Sequence, residues 1–374
     1  MLIISFAIIV IPLYAYFIYP GILFLASMVK GYPSVDNEKK ILKLPPVSLI
    51  VPIHNGQDIL ASKVENLRQI NYPDEYLEKI IISDGSNDRT NALLNKIDPN
   101  EIKVIYLPKR VGKEVALHEA VKAASHDIVC FIDAGTSVNS NGLQYLCSHF
   151  EDSKIGAVSS VDHSDTGVAK LEQLHLKYVC SLRLLESIVT SSVGVSGSLF
   201  ATRKRLFEKV PVSICSDLGI SFQCVTDGYK AIVEKRTIGS YRKTESVRSE
   251  YHRKVRTIAH GLATLAQYKH LFNARKYGWY GVQLFSHKIL RWISPLAFSL
   301  SMLIFLGYLF GQISWNLIGV VTLIFLLILV HPKMRQVILL NGRLFVAYNL
   351  AVFSAFKDFM IGKDYRIWEP TRRL

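Results

Sequence analysis

The sequence predicts an α/β domain with a mostly parallel sheet, carried between apolar segments long enough to cross a membrane. Between residues 47 and 161, short runs rich in Val and Ile alternate with segments of helical periodicity, which is typical of βαβ units. Residues 1–29 and 292–332 contain no Asp, Glu, Lys or Arg. A spanning helix needs about 20 apolar residues, so the first stretch has room for one span and the second for two, broken near residues 311–316.

The individual elements follow from local patterns. Strands are predicted at residues 47–53, 79–83, 103–107, 128–132 and 155–161. Leu60, Val64 and Leu67 recur at helical spacing after the first strand. A second helix is predicted over residues 111–124, and Asp88 is a candidate cap for a helix beginning near residue 90.

Three predicted strands end in polar, flexible turns. These turns are His54-Asn55-Gly56, Asp84-Gly85-Ser86 and Asp133-Ala134-Gly135. Each alone is explained by the turn preference of Asn, Asp and Gly. Because parallel strands end on one rim, where open α/β sheets bind ligands, the three together favour a polar ligand site.

Orientation follows from the basic residues after the first span. Lys30, Lys39, Lys40 and Lys43 follow it, with no basic residue before it, which places the middle of the chain in the cytoplasm. An uncleaved anchor is favoured over a signal peptide, because residues 1–29 lack a basic start and an evident cleavage site. Residues 336–356 are apolar but contain Arg343, so they either span the membrane or lie along its interface.

Charge and cysteine content narrow the possible partners and the cellular compartment of the protein. The chain has 374 residues and a formal net charge of +14, but Lys and Arg do not cluster with stacking aromatics, so a nucleic acid partner is not expected. Anionic lipid near the spans, or a polyphosphate substrate, suits the charge better. Five scattered cysteines without a CxxC pair are typical of free thiols in a reducing compartment.

The residues in and around these turns resemble a known family. From about residue 47 to residue 256 the chain is similar to the family 2 glycosyltransferases, nucleotide-sugar-dependent enzymes with the GT-A fold. The similar segments, in the family's order, are residues 51–55, 83–90, 112–113, 131–135, 197–203, 216–218, 228–230 and 253–256. The apolar segments are similar to the integral-membrane branch of that family.

The resemblance implies a role for each matching residue. It implies a catalytic base at Asp217 and a divalent cation, Mg²⁺ or Mn²⁺, held by Asp133 on the donor diphosphate. Gly197 and Ser198 fall where the acceptor pocket is lined. The residues implied to bind the donor, directly or by supporting its loops, are Pro52, Asn55, Asp84, Asp88, Lys113, Arg253 and Arg256.

The chain departs from the family pattern at several positions. Gly135 replaces the second acid of the Asp-x-Asp motif, with Thr136 or water as substitutes, and Gly56 replaces an acid that often follows the Asn. Ser216 stands where many relatives have an acid before the base. The segment 253–257 lacks the Gln and Trp of the Gln-x-x-Arg-Trp motif of processive synthases, which favours limited transfer over polymer extrusion.

The patterns predict a Rossmann-like α/β domain with a mostly parallel sheet between N- and C-terminal transmembrane helices, and the resemblance implies that this domain has the GT-A fold. The expected parts are an anchor (1–30), a catalytic domain (47–240), basic amphipathic interface helices (241–290), and a transmembrane region with a basic tail (291–374). Residues 255, 258, 262 and 265 form the apolar stripe of the interface helix.

The activity that the resemblance implies is transfer of a sugar, with inversion, from a nucleotide-diphosphate sugar, with a UDP-sugar as the expected donor, to a lipid-linked or polysaccharide acceptor. The reaction is expected at the cytoplasmic face of the cell membrane, in a multi-pass protein. A processive polysaccharide synthase and a non-catalytic nucleotide- or glycan-binding membrane protein are the alternatives.

Overall fold

A computed structural model describes residues 2–31, 44–164, 170–241, 247–311, 332–363 and 365. The strands are β1 (Val47–Ile53), β2 (Leu77–Asp84), β3 (Lys103–Leu107), β4 (Ile128–Ile132), β5 (Thr136–Val138), β6 (Ile155–Ser164), β7 (Leu199–Arg203) and β8 (Lys230–Tyr241). The helices are α1 (Leu2–Lys30), α2 (Leu60–Arg68), α3 (Thr90–Leu94), α4 (Lys113–Ala123), α5 (Gly142–Ser148), α6 (Lys170–Val189), α7 (Lys204–Phe207), α8 (Ser216–Thr226), α9 (Val247–Gln267), α10 (Ala274–Tyr277), α11 (Trp279–Leu309) and α12 (Pro332–Met360).

The eight strands form one sheet in the order β3-β2-β1-β4-β7-β6-β8-β5. Four of the pairings are parallel, namely β3-β2, β2-β1, β1-β4 and β6-β8. The other three, β4-β7, β7-β6 and β8-β5, are antiparallel. The predicted mostly parallel sheet is therefore confirmed, with an antiparallel strand, β7, placed beside β4.

The centre of the sheet consists of the most apolar runs. Every residue of β4 is buried, and β1 is buried except at Pro52, as expected for parallel strands covered on both faces. Pro52 lacks a backbone N–H and cannot extend a ladder on both sides. The pairing of β1 with β4 covers Val47–Ile50, so the proline lies beyond it.

The antiparallel contact between β4 and β7 positions the site. Ile132 pairs with Leu199, and beyond this pair the Asp133 N–H donates to the Ser198 carbonyl (2.9 Å). The end of β4 thus meets the residues that precede β7. This juxtaposition joins Asp133 to segment 196–198, although more than 60 residues separate them in the sequence.

The chain divides into two compact units. One comprises Met1–Ile22, Ser246–Ala259 and Leu284–Lys363, and the other comprises Leu23–Glu245, His260–Gln283 and Asp364–Leu374. The second unit contains the sheet. The second unit also includes His260–Gln283, and the predicted domain boundaries stay predictions.

Two helices are long and apolar enough to cross a membrane. They are α1, with a π-helical turn at Tyr14–Ile18, and α11, with one at Phe285–Leu290. Only 17% of each apolar window is buried, and Ile3 and Phe17 are 84% and 72% exposed. Apolar surface of this extent on a helix is what a bilayer or a partner would cover.

Polar side chains link the apolar helices of the first unit. Ser5 and Ser301 each donate a hydroxyl hydrogen bond to the other's backbone carbonyl at 2.9 Å, and Ser299 donates to Asn349 Oδ1 at 3.0 Å. Such bonds hold helices together where water is absent. Residues 336–356 lie within the continuous helix α12, and residues 312–331, which carry the second half of the predicted hairpin, lie outside the described part of the chain.

The apolar stripe of α9 is covered by protein. Val255, Ile258, Leu262 and Leu265 are all buried, whereas the sequence suggested that this stripe faces the membrane interface. Helical periodicity identifies the apolar face of a helix, but it does not show whether protein or lipid covers that face. The buried stripe therefore gives no support to the prediction that residues 241–290 lie near the membrane surface. That prediction rests on the rest of the segment.

A buried ion-pair cluster in the second unit predicts acid sensitivity. Glu234 accepts hydrogen bonds from His149 Nε2 (2.6 Å) and Arg236 Nη2 (2.9 Å). Burial would raise the pKa of Glu234, but these bonds outweigh it and lower the pKa from 4.5 to about 2. Because the folded-state pKa is the lower one, the ionised carboxylate stabilises the fold above pH 4.5, and this contribution is lost as the pH falls toward 2.

We expect Glu234→Gln to lower the free energy of unfolding at pH 7 by up to about 3 kcal/mol. The difference from the unsubstituted protein should shrink below pH 4.5 and vanish near pH 2, which urea unfolding in detergent across this range would measure. Glu101→Gln is the control, because Glu101 pairs with Arg68 at the surface, where ion pairs contribute little. A difference in unfolding free energy between Glu234→Gln and the unsubstituted protein that stays constant with pH would contradict the low pKa assigned to Glu234.

Candidate active site

Two turns on the rim of the sheet are joined by hydrogen bonds. Asn55, which has a positive φ of 49°, accepts the Asn87 N–H on its side-chain oxygen (2.9 Å). Asp88 accepts the N–H groups of Gln57 (3.2 Å) and Thr90 (2.9 Å). The N-cap of α3 is Arg89, with no side-chain cap hydrogen bond, so the predicted cap at Asp88 is wrong by one residue. The Asp88 carboxylate instead connects the turn after β1 to the turn after β2.

Asp84 supports the loop that leads into α4. Its carboxylate accepts the backbone N–H groups of Val111 (2.7 Å) and Gly112 (2.9 Å), and the residue is only 4% exposed. The resemblance implied that Asp84 binds the donor or supports its loop. In the structure both of its oxygens bind backbone, so its first role is to position Gly112 and the residue that follows.

Glycine is required on both sides of this contact. Gly85 has a φ of +58°, and a Cβ there would lie 2.3 Å from the Arg110 nitrogen. Gly112 has a φ of +95°, a region in which L residues are strained. The close approach of these two loops places Lys113 at the start of α4.

Lys113 connects the end of β4 to segment 196–198. Its ammonium donates to Asp133 Oδ1 (2.6 Å) and to the Gly197 carbonyl (3.1 Å). Burial would lower the pKa of Lys113, but the charges of Asp133, Glu114 and Asp217 and the hydrogen bond to Asp133 together outweigh it, and the pKa is raised. Both Lys113 and Asp133 remain 28% exposed, so the pair can be reached by a ligand.

Asp217 lies on the other side of Gly197. A Cβ at Gly197 would lie 2.9 Å from Asp217 Oδ2, so the carboxylate packs against the open face of the glycine. Oδ1 accepts the N–H of Leu218 (2.9 Å), and the Asp217 carbonyl accepts the N–H of Val195 (3.2 Å). One oxygen thus helps to begin α8, and Oδ2 is the oxygen directed at Gly197.

Glu114 is a site residue that sequence reasoning missed. It lies near Ser216, whose polar groups favour the ionised form of the Glu114 carboxyl and act to lower its pKa. Burial is the main reason that the pKa of Glu114 is raised to about 7, and the charge of Asp217 adds to it. In the sequence Glu114 reads as an ordinary acid in the first turn of an amphipathic helix, and nothing local distinguishes it.

Lys63 is a second residue that was missed. It is 3% exposed, and its ammonium donates to the Thr136 carbonyl in the turn after β4. Burial lowers its pKa to about 7, against the opposing effect of Asp133. Its spacing from Leu60 and Leu67 places Lys63 on the buried face of α2, so the periodicity contained a signal for it.

The Ser198 side chain supports segment 196–198. Its hydroxyl, like that of Ser196, donates to Asp162 Oδ1, and Asp162 is also paired with Arg183 (2.8 Å). The Ser198 side chain bonds to the half-buried carboxylate of Asp162, so any lining of an acceptor pocket at Ser198 would come from its backbone, and that role stays a prediction. Asp162 follows the predicted strand 155–161, so the strand-end rule that identified Asp133 could have identified it.

The donor set at Asp133 fits a cation that is shared with a diphosphate. Within the described ranges, no three His, Cys, Asp or Glu side chains form a group that could hold a metal ion. Asp133 offers one partly exposed carboxylate, and Mg²⁺ binds through one or two carboxylates when substrate phosphates complete its shell. Thr136, suggested as a substitute ligand, is 1% exposed with its hydroxyl enclosed.

The remaining predicted residues are spread over the chain. Pro52 is half-buried in β1 and borders the turn that Asn55 stabilises. Arg253 and Arg256 lie on α9, within Ser246–Ala259 of the first compact unit, whereas the residues described above belong to the second. Their role at the donor stays a prediction.

Comparisons with known proteins agree with this geometry. A model of "Glycosyl transferase family 2" matches residues 48–211. The poly-beta-1,6-N-acetyl-D-glucosamine synthase of Staphylococcus aureus (strain MSSA476) is 26% identical over 202 residues, 50% of this chain and 48% of the relative. The probable glycosyltransferase YdaM of Bacillus subtilis (strain 168) is 31% identical over 122 residues, 31% of this chain and 29% of the relative.

The chain therefore spans about half the length, or less, of the curated relatives it matches. Among solved structures, the mannosyltransferase PcManGT from Pyrobaculum calidifontis, in complex with GDP-Man and Mn²⁺, superposes with a TM-score of 0.72. The match covers 96% of this chain and 100% of PcManGT at 19% identity, which shows a shared fold. The domain has the GT-A fold, and residues 48–211 form a glycosyl transferase family 2 domain.

Proposed function

We propose that this protein is a membrane-bound inverting glycosyltransferase. It transfers a sugar from a nucleotide-diphosphate sugar, with a UDP-sugar as first choice, to a lipid-linked or polysaccharide acceptor at the cytoplasmic face. The observation that carries the proposal is the meeting of Lys113, Asp133 and Asp217 around Gly197. The Lys113–Asp133 ion pair lies on one side of Gly197, and the Asp217 carboxylate lies on the other. The ion pair suits a leaving diphosphate, and the carboxylate suits an attacking hydroxyl.

The donor side must accept growing negative charge as the diphosphate leaves. Lys113 is positioned for this, since its ammonium is held at the rim by Asp133 and by the Gly197 carbonyl. A divalent cation bound with the donor would neutralise the diphosphate further, with Asp133 as its protein ligand. Fixed positive groups are effective here because they need no rearrangement during the reaction.

The acceptor side must remove a proton. The acceptor oxygen attacks the anomeric carbon, its proton moves to Asp217 Oδ2, and the bond from that carbon to the diphosphate oxygen breaks. Oδ1 already accepts the Leu218 N–H, which fixes the carboxylate plane. Gly197 leaves space for the acceptor, because a side chain there would meet Asp217 at 2.9 Å.

The relatives suggest donor and acceptor classes. The name of the S. aureus relative indicates N-acetylglucosamine and a polysaccharide product, which supports a UDP-sugar and keeps processive synthesis as the second candidate. The PcManGT complex contains GDP-Man, so a GDP-sugar belongs among the donors to be tested. The exposed apolar surfaces of α1 and α11 support a membrane location.

The test is nucleotide release by the purified full chain in nanodiscs. The protein is incubated with UDP-sugars and GDP-mannose, with Mn²⁺ or with chelator, and with or without a polyprenyl phosphate or a short β-1,6-linked N-acetylglucosamine oligomer. We expect one donor to release its nucleotide, faster with an acceptor present. The length of the product separates single addition from processive synthesis, and donor binding without release would support the non-catalytic alternative.

A further inference from the structure

We propose that Asp162, held by Arg183, is a positioning residue that fixes Gly197 by binding the serine on either side of it. Gly197 then presents its carbonyl to Lys113 and its open face to Asp217. The inference rests on the proposed function. It concerns two residues, Asp162 and Arg183, that neither the sequence patterns nor the resemblance selected.

One oxygen of the Asp162 carboxylate binds both serines that flank the glycine. Ser196 and Ser198 each donate their hydroxyl to Asp162 Oδ1, the second at 2.8 Å. The Ser196 hydroxyl oxygen also accepts the Ser198 N–H at 3.2 Å, and the Ser196 N–H donates to Ser159 Oγ at 2.7 Å. Both flanking serines are buried. Asp162, Ser196 and Ser198 thus form a clamp around Gly197, a residue type that has wide backbone freedom when nothing restrains it.

Arg183 on α6 holds the other oxygen of the same carboxylate. Its Nη2 donates to Asp162 Oδ2 at 2.8 Å, and the side chains of Arg183 and Asp162 are only 7% and 16% exposed. A carboxylate removed from water needs a partner charge, and Arg183 supplies it. The Arg183 Nε is buried without a hydrogen-bond partner among the described residues, which costs stability. Stability alone therefore does not account for this arginine.

The segment that the clamp fixes contacts both halves of the candidate site. The Ser198 carbonyl accepts the Asp133 N–H at 2.9 Å, and the Gly197 carbonyl accepts the Lys113 ammonium at 3.1 Å. The Asp217 carboxylate packs against the open face of the same glycine. A shift of this peptide would therefore change the position of the donor-side ammonium relative to the base, and a displacement of about 1 Å can lower turnover about 10²-fold.

Nucleotide binding is expected to survive loss of the clamp. Asn55 and Asp88 join the turns after β1 and β2, and Lys113 has its own ion pair with Asp133. None of these contacts passes through Asp162 or the two serines. A variant without the clamp should therefore lose kcat and keep its nucleotide affinity, the pattern of an interaction that matters in the transition state.

Removing the two hydroxyls tests the proposal. The variant Ser196→Ala/Ser198→Ala keeps the backbone of the segment and leaves Asp162 paired with Arg183. We expect its kcat to fall about 10- to 100-fold, with nucleotide affinity within about threefold of that of the unsubstituted protein. Asp162→Asn keeps the size of the side chain but removes its charge, and it should show a loss of the same kind.

Combined variants separate positioning from a general loss of stability. If Asp162 acts through the serine hydroxyls, adding Asp162→Asn to Ser196→Ala/Ser198→Ala should lower kcat little further, because the two changes remove the same interaction. Arg183→Lys keeps the positive charge and should keep most of the turnover. Arg183→Met removes that charge and should lower kcat as Asp162→Asn does.

Glu101→Gln is the control, because it breaks a carboxylate–arginine pair with Arg68 at the surface and should leave turnover unchanged. Losses that multiply in the combined variant, or a nucleotide affinity that falls in step with kcat, would overturn the proposal, since a general effect on folding produces both. An unchanged kcat in Ser196→Ala/Ser198→Ala would also overturn it, and this measurement serves if Asp162→Asn does not fold. Absence of turnover in the unsubstituted enzyme would overturn the proposed function as well, whereas turnover that is insensitive to the two serines overturns this inference alone.

Discussion

Replacing Asp217 with Asn is expected to lower sugar transfer by about 10²- to 10⁴-fold, the usual contribution of a general base. The amide has the same shape as the carboxylate and can still accept the Leu218 N–H that Oδ1 accepts now. It cannot take the proton of the acceptor hydroxyl. The change should therefore appear in kcat, with nucleotide affinity within about threefold of normal since the residue makes no transition-state contact with the donor.

The measurement compares nucleotide release with nucleotide binding in one preparation. Asp227→Asn is the matched control, because Asp227 lies at the other end of α8 and pairs with Lys209 at the surface. That variant should keep full turnover. If Asp217→Asn kept near-normal turnover, or lost nucleotide affinity along with activity, Asp217 would have another role.

The parallel half of the sheet was predictable because its strands are continuous apolar runs. The predicted strands 47–53, 103–107 and 128–132 coincide with β1, β3 and β4, since each is an apolar run flanked by polar turns. β1 and β4 are buried, whereas β3 is only partly covered. The run 79–83 is the buried centre of β2, which extends from Leu77 to Asp84. Hydrophobic periodicity reports burial, so it finds strands that are covered on both faces.

The antiparallel half was not predictable by the same reasoning. β7 (Leu199–Arg203) was identified only as part of a family motif, and its place beside β4 follows from pairings between distant segments. That pairing brings Ser198 to Asp133 and hence Gly197 to Lys113. The resemblance could imply that Lys113, Asp133 and Asp217 converge near Gly197. The geometry of that convergence depends on the strand order, which the sequence did not predict.

The site residues also divide into those that the sequence could predict and those that it could not. Asp133 and Lys113 were selected from the strand-end rule and the family pattern, and the structure brings them into contact. Glu114 was missed because the groups that act on it, Ser216 and Asp217, are about 100 residues away in the sequence. Asp84 was selected as a donor ligand because an acid at a strand end is a ligand signal, yet here it binds the backbone of its own support loop.

Replacing Asp133 with Asn is expected to abolish the part of nucleotide binding that depends on a divalent cation. Asp133 is the protein ligand available to such a cation, and the amide is a much weaker one. In the unsubstituted protein Mn²⁺ should raise nucleotide affinity by at least about tenfold, because a cation that polarises phosphoryl oxygens contributes several kcal/mol. In Asp133→Asn, affinities with Mn²⁺ and with chelator should coincide.

The structure makes a further distinction for the same variant. Asp133 Oδ1 accepts a hydrogen bond from Lys113 at 2.6 Å, so removing its charge leaves the ammonium available to the diphosphate. Binding measured with chelator should therefore be retained or strengthened in Asp133→Asn. Asp127→Asn, exposed just before the opposite end of β4, should keep the Mn²⁺ dependence of the unsubstituted protein. A Mn²⁺ effect that persists in Asp133→Asn would place the cation on other residues, and loss of binding with chelator would show that Asp133 itself, rather than Lys113, holds the nucleotide.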